Sequence, residues 1–256
     1  MSTRMQTRFH RPLHALQLAA LAVALAAGVA ACGSSSPTPT TTSTTTTTVP
    51  KTPATLGSLL PLFPFASAAQ VDSWAARYTS SGADAWHLSA AQTALRFAAW
   101  LGFADVSRTF GAVSGRDGAH VTVGFVVAGT TTKVRAAVVH LVRWGSGTAA
   151  PWEVVGTDDT TFSLTAPAYG ATVGSPITAG GLISGVDENV KVRVRTLSST
   201  ADVGTSCCTA AGGVATHWSR QVAYTAPAGS VVTVIAQTGG HVATVERFTI
   251  TGLKVP

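Results

Sequence analysis

The alternation of apolar and polar positions changes character three times along the chain. Leu16 to Ala31 (LQLAALAVALAAGVAA) is apolar almost throughout. Gly33 to Pro53 (GSSSPTPTTTSTTTTTVPKTP) carries almost no apolar residue. From about Leu56 the apolar positions become periodic, and at Asp158-Asp159 the period itself changes. Before that junction two helical stripes precede four strand-like runs. After it no helical period appears.

The first periodic region opens on Leu59-Leu60-Pro61-Leu62-Phe63-Pro64-Phe65, an apolar, proline-broken arm. Val71, Trp74, Ala75 and Tyr78 then follow the i, i+3, i+4, i+7 rule, which predicts a short helix over 66–79. A second helix is announced by Ser89 with Gln92 three residues on, a capping box, with Ala91, Leu95, Ala98 and Leu101 as its stripe and Gly102 as its stop. Strand-like runs at 106–113, 120–127, 133–143 and 152–157 come next, separated by Gly, Asp, Thr and Pro turns. Helices first and antiparallel strands after them predict an α+β domain over 56–158, with helices on one sheet face. Residues 159–256 predict about seven short strands, the arithmetic of an immunoglobulin-like β-sandwich. The clearest is 189–197, where Val190, Val192 and Val194 alternate with Lys191, Arg193 and Arg195. Runs at 230–237 and 241–252 follow, the latter placing Phe248 and Ile250 on one side. The expected fold class is therefore mostly β.

The two non-periodic stretches determine where the protein is expected to reside. Residues 1–15 hold Arg4, Arg8 and Arg11 and no acid, and the apolar run behind them is shorter than the ~20 residues a spanning helix prefers. It ends Val29-Ala30-Ala31-Cys32, which resembles the bacterial lipobox. Small side chains at Ala30 and Ala31 admit the backbone to a peptidase cleft, and the Cys32 thiol is the nucleophile that takes diacylglycerol. Two or three palmitate-class chains anchor stably, because each buried CH₂ contributes ~0.8 kcal/mol. Residues 1–31 thus read as a lipoprotein signal peptide and 32–55 as a disordered Ser/Thr/Pro tether, stiffer than a Gly/Ser linker and either a bare spacer or a substrate for O-glycosylation. The predicted location is the outer face of the cell membrane. Removing 1–31 reduces the net charge from +6 to +3, with 14 basic against 11 acidic side chains. That is too mild and dispersed for nucleic acid.

The stretch Pro167-Ala-Tyr-Gly170-Ala-Thr-Val173-Gly-Ser175-Pro176, followed by Gly181 and Glu188-Asn189-Val190-Lys191-Val192, resembles the immunoglobulin-like domain of bacterial spore germination proteins, the GerM-associated module. The resemblance covers about residues 160–254. Gln237 stands where that module ends its penultimate strand on an acid. Trp86-His87-Leu88-Ser89, Phe97 and Leu101-Gly102-Phe103 are similar to regions beside this module in actinobacterial lipoproteins. The resemblance implies an extracellular binding or spacer domain rather than germination itself, since such modules also occur in bacteria that do not sporulate.

Candidate chemistry is sparse. Cys207 and Cys208 are adjacent in an oxidising compartment. A bond between them requires a tight ring with a distorted peptide, because disulfides prefer Cα separations of ~4.4–6.8 Å. A vicinal disulfide, free thiols and intermolecular pairing all remain open, and relatives of the module carry two cysteines in this loop. Lys191, Arg193 and Arg195 form a cationic strand face, suited to anionic wall polymer or headgroups, or simply solvated as a guard against edge pairing. His87 lies three after Asp84 and His120 three after Asp117, but no nucleophile or zinc motif accompanies them or His140. No catalytic residue, metal or cofactor is expected. The sequence thus predicts an anchored envelope lipoprotein that binds or presents, with a cell-wall polymer or envelope protein as partner. The rivals are an enzyme with a site in the α+β domain and a purely structural spacer.

Overall fold

The computed structural model describes residues 56–115, 118–146, 148–185 and 188–256. Residues 1–31, the expected tether 32–55 with Cys32, and Asp117 lie outside the described residues. The fold is mostly β, with two α-helices among the described residues packed beside antiparallel sheets.

Helix α1 (Ala68–Ser81) starts at Ser67, whose hydroxyl accepts the Gln70 N–H, while the Gln70 side chain reaches back to the Ala66 N–H at 2.6 Å. It buries Val71 and Trp74 with Phe65 and Trp144 in a satellite core. Helix α2 (Ala90–Trp100) is capped by Ser89, which accepts from Gln92 N–H. Its buried stripe runs through Ala94, Phe97, Ala98 and Leu101 instead of through Ala91 and Leu95. Phe97, the largest apolar side chain on the helix after the terminal Trp100, takes the centre and leaves Leu95 at the margin.

Strands β1 (Arg108–Gly115), β2 (Gly118–Val126), β3 (Lys133–Arg143) and β4 (Trp152–Thr157) form an antiparallel meander in that order. Along β2 the two-residue period sends Ala119, Val121 and Val123 fully under cover and leaves His120 and Thr122 half-buried.

The remaining strands are β5 (Ile177–Ile183), β6 (Asn189–Arg195), β7 (Gly204–Ala210), β8 (Thr216–Val222), β9 (Val231–Thr238) and β10 (Arg247–Lys254). They build a four-stranded sheet ordered β10-β9-β6-β7 and a facing pair, β5-β8. Val190, Val192 and Val194 meet Trp218, Val222 and Val232 between them. The expected seventh strand exists in two pieces. Phe162 and Ala166 bridge β5 antiparallel, whereas Thr172 bridges Lys254 in parallel. The Pro167–Gly170 turn thus carries the chain from one sheet to the other. On β5 Gly181 is required opposite Ser163, since a Cβ there would sit 2.1 Å from the Ser163 carbonyl oxygen. Strand β10 starts at Arg247 rather than at 241, because the Glu246 carboxylate gathers the N–H groups of His241 and Val242 into a loop.

The chain leaves the meander at Asp158-Asp159, but packing continues across that point. One core joins Phe97, Leu101, Val121 and Val139 to Ile235, Phe248 and Ile250 of the sandwich. The arm sits at the same seam. Leu62 N–H donates to Val154 O at 3.0 Å, and Val154 N–H donates to Phe63 O at 2.7 Å. The wholly buried Glu153 carboxylate accepts from the Phe63 and Phe65 N–H groups at 2.8 and 3.2 Å. Burial pushes its carboxyl well above the usual range, against the pull of those backbone donors.

Candidate functional site

The cationic face of β6 does not face solvent as a unit. Arg193 and Arg195 are 8% and 5% exposed. They lie against the C-terminal end of α2, where the last carbonyls of a helix lack intrahelical partners and the dipole is negative. Arg193 Nη2 donates to Leu101 O at 2.9 Å, and Arg195 Nη1 donates to Trp100 O. Each guanidinium also lies over an aromatic ring, Phe103 for Arg193 and Trp100 for Arg195. Asp202, in the turn behind β6, accepts from Arg193 Nε at 2.7 Å and from Arg195 Nε at 3.0 Å. Burial raises its carboxyl, but the hydrogen bonds and charges of Arg193 and then Arg195 more than offset that, so it titrates below its ordinary value. The two arginines are therefore a clamp between the halves and leave no surface for an anionic polymer. Covering the sheet by α2 is what removes them from water.

Only Lys191 of the three faces a cleft. It is half-buried and, with Glu188, Asn189, Gln237, Thr238 and Thr244, surrounds Cys207 and Cys208 in a space of about 480 Å³. The two sulfurs are joined in the structure. They sit in a β-bulge: pairing jumps from Val190↔Thr209 to Val192↔Ser206, which leaves both cysteines opposite Lys191. Gln237, directly across from Lys191, accepts from Arg193 Nη1 at 3.0 Å through its amide oxygen. A carboxylate at this position would also pair with Arg193, and the amide does so without adding charge.

The histidines occupy two other places. His87 is buried between Trp86, Phe65 and Trp74, with ring centroids at 3.6, 4.7 and 5.2 Å. Its Nδ1 has no hydrogen-bond partner among the described residues. Burial pulls it down from 6.5 to about 4, the nearby Asp84 charge opposing this and Arg96 and Arg77 adding to it. Asp84 itself accepts from Trp86 Nε1 rather than from His87. His120 pairs through Nδ1 with Asp158 at 2.8 Å, and its ring stacks on His140, its cross-strand neighbour, at 4.5 Å. Asp158 is close because β4 ends beside β2's partner, a proximity that the Asp117 spacing did not convey. His140 lines a second cleft of about 450 Å³ together with Thr157 and Tyr169. The Thr157 hydroxyl there is already engaged with Thr249 and the Ile250 N–H, and the Tyr169 hydroxyl accepts the Leu60 N–H at 2.6 Å. Among the described residues no three His, Cys, Asp or Glu side chains converge as metal ligands would.

No family model, curated protein or solved structure matches this chain.

Sequence reasoning does not find Asp202, Glu153 or the Glu246 loop, and it places Asp158 only at the junction, not as the partner of His120. For Asp202 a signal existed: an acid in the turn that follows a strand with two outward arginines.

Proposed function

We propose that this protein is an envelope lipoprotein, anchored through Cys32, whose folded head binds or presents a partner without catalysis. The observation that carries this reading is the clamp of Arg193, Arg195 and Asp202 over the end of α2. It fixes the meander and the sandwich in one orientation, so clefts on both halves keep their relative positions, as a recognition surface needs. The likeness to the germination-type module fits a head of this kind.

A second reading is favoured by one observation. Asp158 holds His120 as an orienting acid holds a general base, and the neighbouring His140 opens onto a cleft. Against it, the Thr157 and Tyr169 hydroxyls of that cleft are bonded to the scaffold. Replacing His87, His120 and His140 together with Gln separates the two. The binding reading expects the envelope phenotype to persist in the folded triple variant. Its loss, with circular dichroism unchanged, makes the meander half an active site. The Cys32→Ala variant should lose acyl labelling and accumulate as precursor.

A further inference from the structure

We propose that the cleft over Cys207 and Cys208 is a saccharide site, in which the joined cysteines are the platform for a sugar ring and the surrounding polar groups take its hydroxyls. The inference rests on the binding reading and names the ligand class for it.

The platform is built from both sheets. Cys207 and Cys208 are exposed on the edge strand β7, and their bond closes a small ring through the peptide that joins them, with the two sulfurs and two methylenes as its side away from the backbone. Thioether-like sulfur is polarizable and accepts hydrogen bonds weakly, so its natural contact is a C–H face. Arg220, from β8 of the facing sheet, holds the bulge in place. Its Nε donates to Ser206 Oγ at 2.8 Å, and its terminal nitrogens donate to the carbonyls of Cys207 and Cys208. The bulge carbonyls are thereby satisfied from one side, and the sulfurs are left as a fixed floor.

The walls are polar and of mixed sense. Gln237 gives its amide oxygen to Arg193, which leaves its NH₂ as a donor for the cleft. Lys191 makes no polar contact among the described residues and supplies a second donor. Glu188, within 3.4 Å of the Thr238 hydroxyl, supplies acceptors on the same rim. Residues 239–246 close the far side as a loop fixed before any ligand arrives. Glu246 gathers the N–H groups of His241 and Val242 at 2.9 and 2.7 Å, and Asp105 takes that of Thr244 at 3.1 Å. Gly239 cannot be replaced there, since a Cβ would lie 2.6 Å from Thr244 O.

This lining selects among ligand classes. A phosphate or sulfate needs convergent cations, and here one ammonium faces one carboxylate. An apolar ligand needs a hydrophobic lining, and here no aliphatic or aromatic side chain among the described residues lines the cleft. A sugar needs donors and acceptors together around its rim and an apolar contact for one face. The cleft offers that combination, at a volume within the ~300–1,000 Å³ of small-ligand sites. Two glycan sources share this chemistry, an acetamido-sugar polymer and a plain hexose polymer.

The test is calorimetric titration of the mature full chain with triacetylchitotriose and, separately, with a galactotriose. Saturable binding of one of them is expected, which also identifies the source. Lys191→Ala should weaken it about tenfold, the effect of losing one charged hydrogen bond. The Cys207→Ser, Cys208→Ser double variant should abolish it, as should treating the unmodified protein with a phosphine reductant, an arm that does not depend on the variant folding. No heat with either sugar up to ~10 mM overturns the proposal, since weaker binding is below useful recognition. So does binding that survives both reduction and Lys191→Ala. A head that still captures an envelope partner yet binds neither sugar overturns the saccharide site alone and leaves the binding reading standing.

Discussion

Lys191 and the pair Arg193 and Arg195 stand on one face of one strand, at alternate positions, yet they meet opposite fates. The arginines are out of water, stacked on aromatic rings and bonded to the end of a helix. Lys191 lines an open cleft. The period of two fixes which face a side chain takes, but what lies over that face decides whether its charge is structural or available. Here α2 covers the lower part of the face and stops at Trp100, and the cleft begins where the cover ends.

The sharpest way to break this contrast is to remove an arginine. Arg193→Ala leaves Asp202 half-paired and the Leu101 carbonyl without its donor, which should cost about 3–5 kcal/mol. Urea unfolding of the folded head measures this. A loss under ~1 kcal/mol, the range of a surface ion pair, would show that the clamp holds nothing.

His87 offers a smaller effect of a different kind, with its sign set by burial. Its folded value near 4 lies below the ordinary 6.5. The unfolded chain therefore takes up the proton first as pH falls. Stability should be undiminished above about 6.5 and decline progressively down to about 4, then level off as far as this group is concerned. His87→Phe should flatten that limb, as followed by melting temperature against pH. A wild-type curve flat across the window would mean that the imidazole is hydrated.

The smallest effect belongs to Lys191. Its replacement by Ala should leave unfolding free energy within about 0.5 kcal/mol of wild type, as for surface positions without partners. Destabilisation as large as that of Arg193→Ala would place all three cations in one structural role.

The alternation of β6 was legible in the sequence because valines and cations strictly take turns. Its covering was not, because Leu101 and Arg193 are remote in the chain and meet only after the sandwich docks. The cap of α2 was legible in Ser89 and Gln92, since capping is local. The start of β10 was misplaced at His241 for the converse reason. Apolar Val242 is in phase with Phe248 and Ile250 and so extends the strand pattern, but the Glu246 carboxylate wins its segment by offering its backbone N–H groups a partner that a strand edge does not. The cleft combines both situations. Its cysteines were visible as an oddity, while the bulge, Arg220 beneath it and Gln237 beside it depend on strand pairing.

Glu153 has a mechanical meaning. Any pull transmitted along the chain from residues before Leu56 enters the fold through the arm, which is held first at Leu60 by the Tyr169 hydroxyl and then, from Leu62 on, by β4. The two backbone bonds at Val154 and the two carboxylate bonds at Glu153 lie together there, sealed from water that would otherwise compete for each bond as it opens. A load entering at Leu56 meets the Leu60–Tyr169 contact and then this short seam before it reaches the helices.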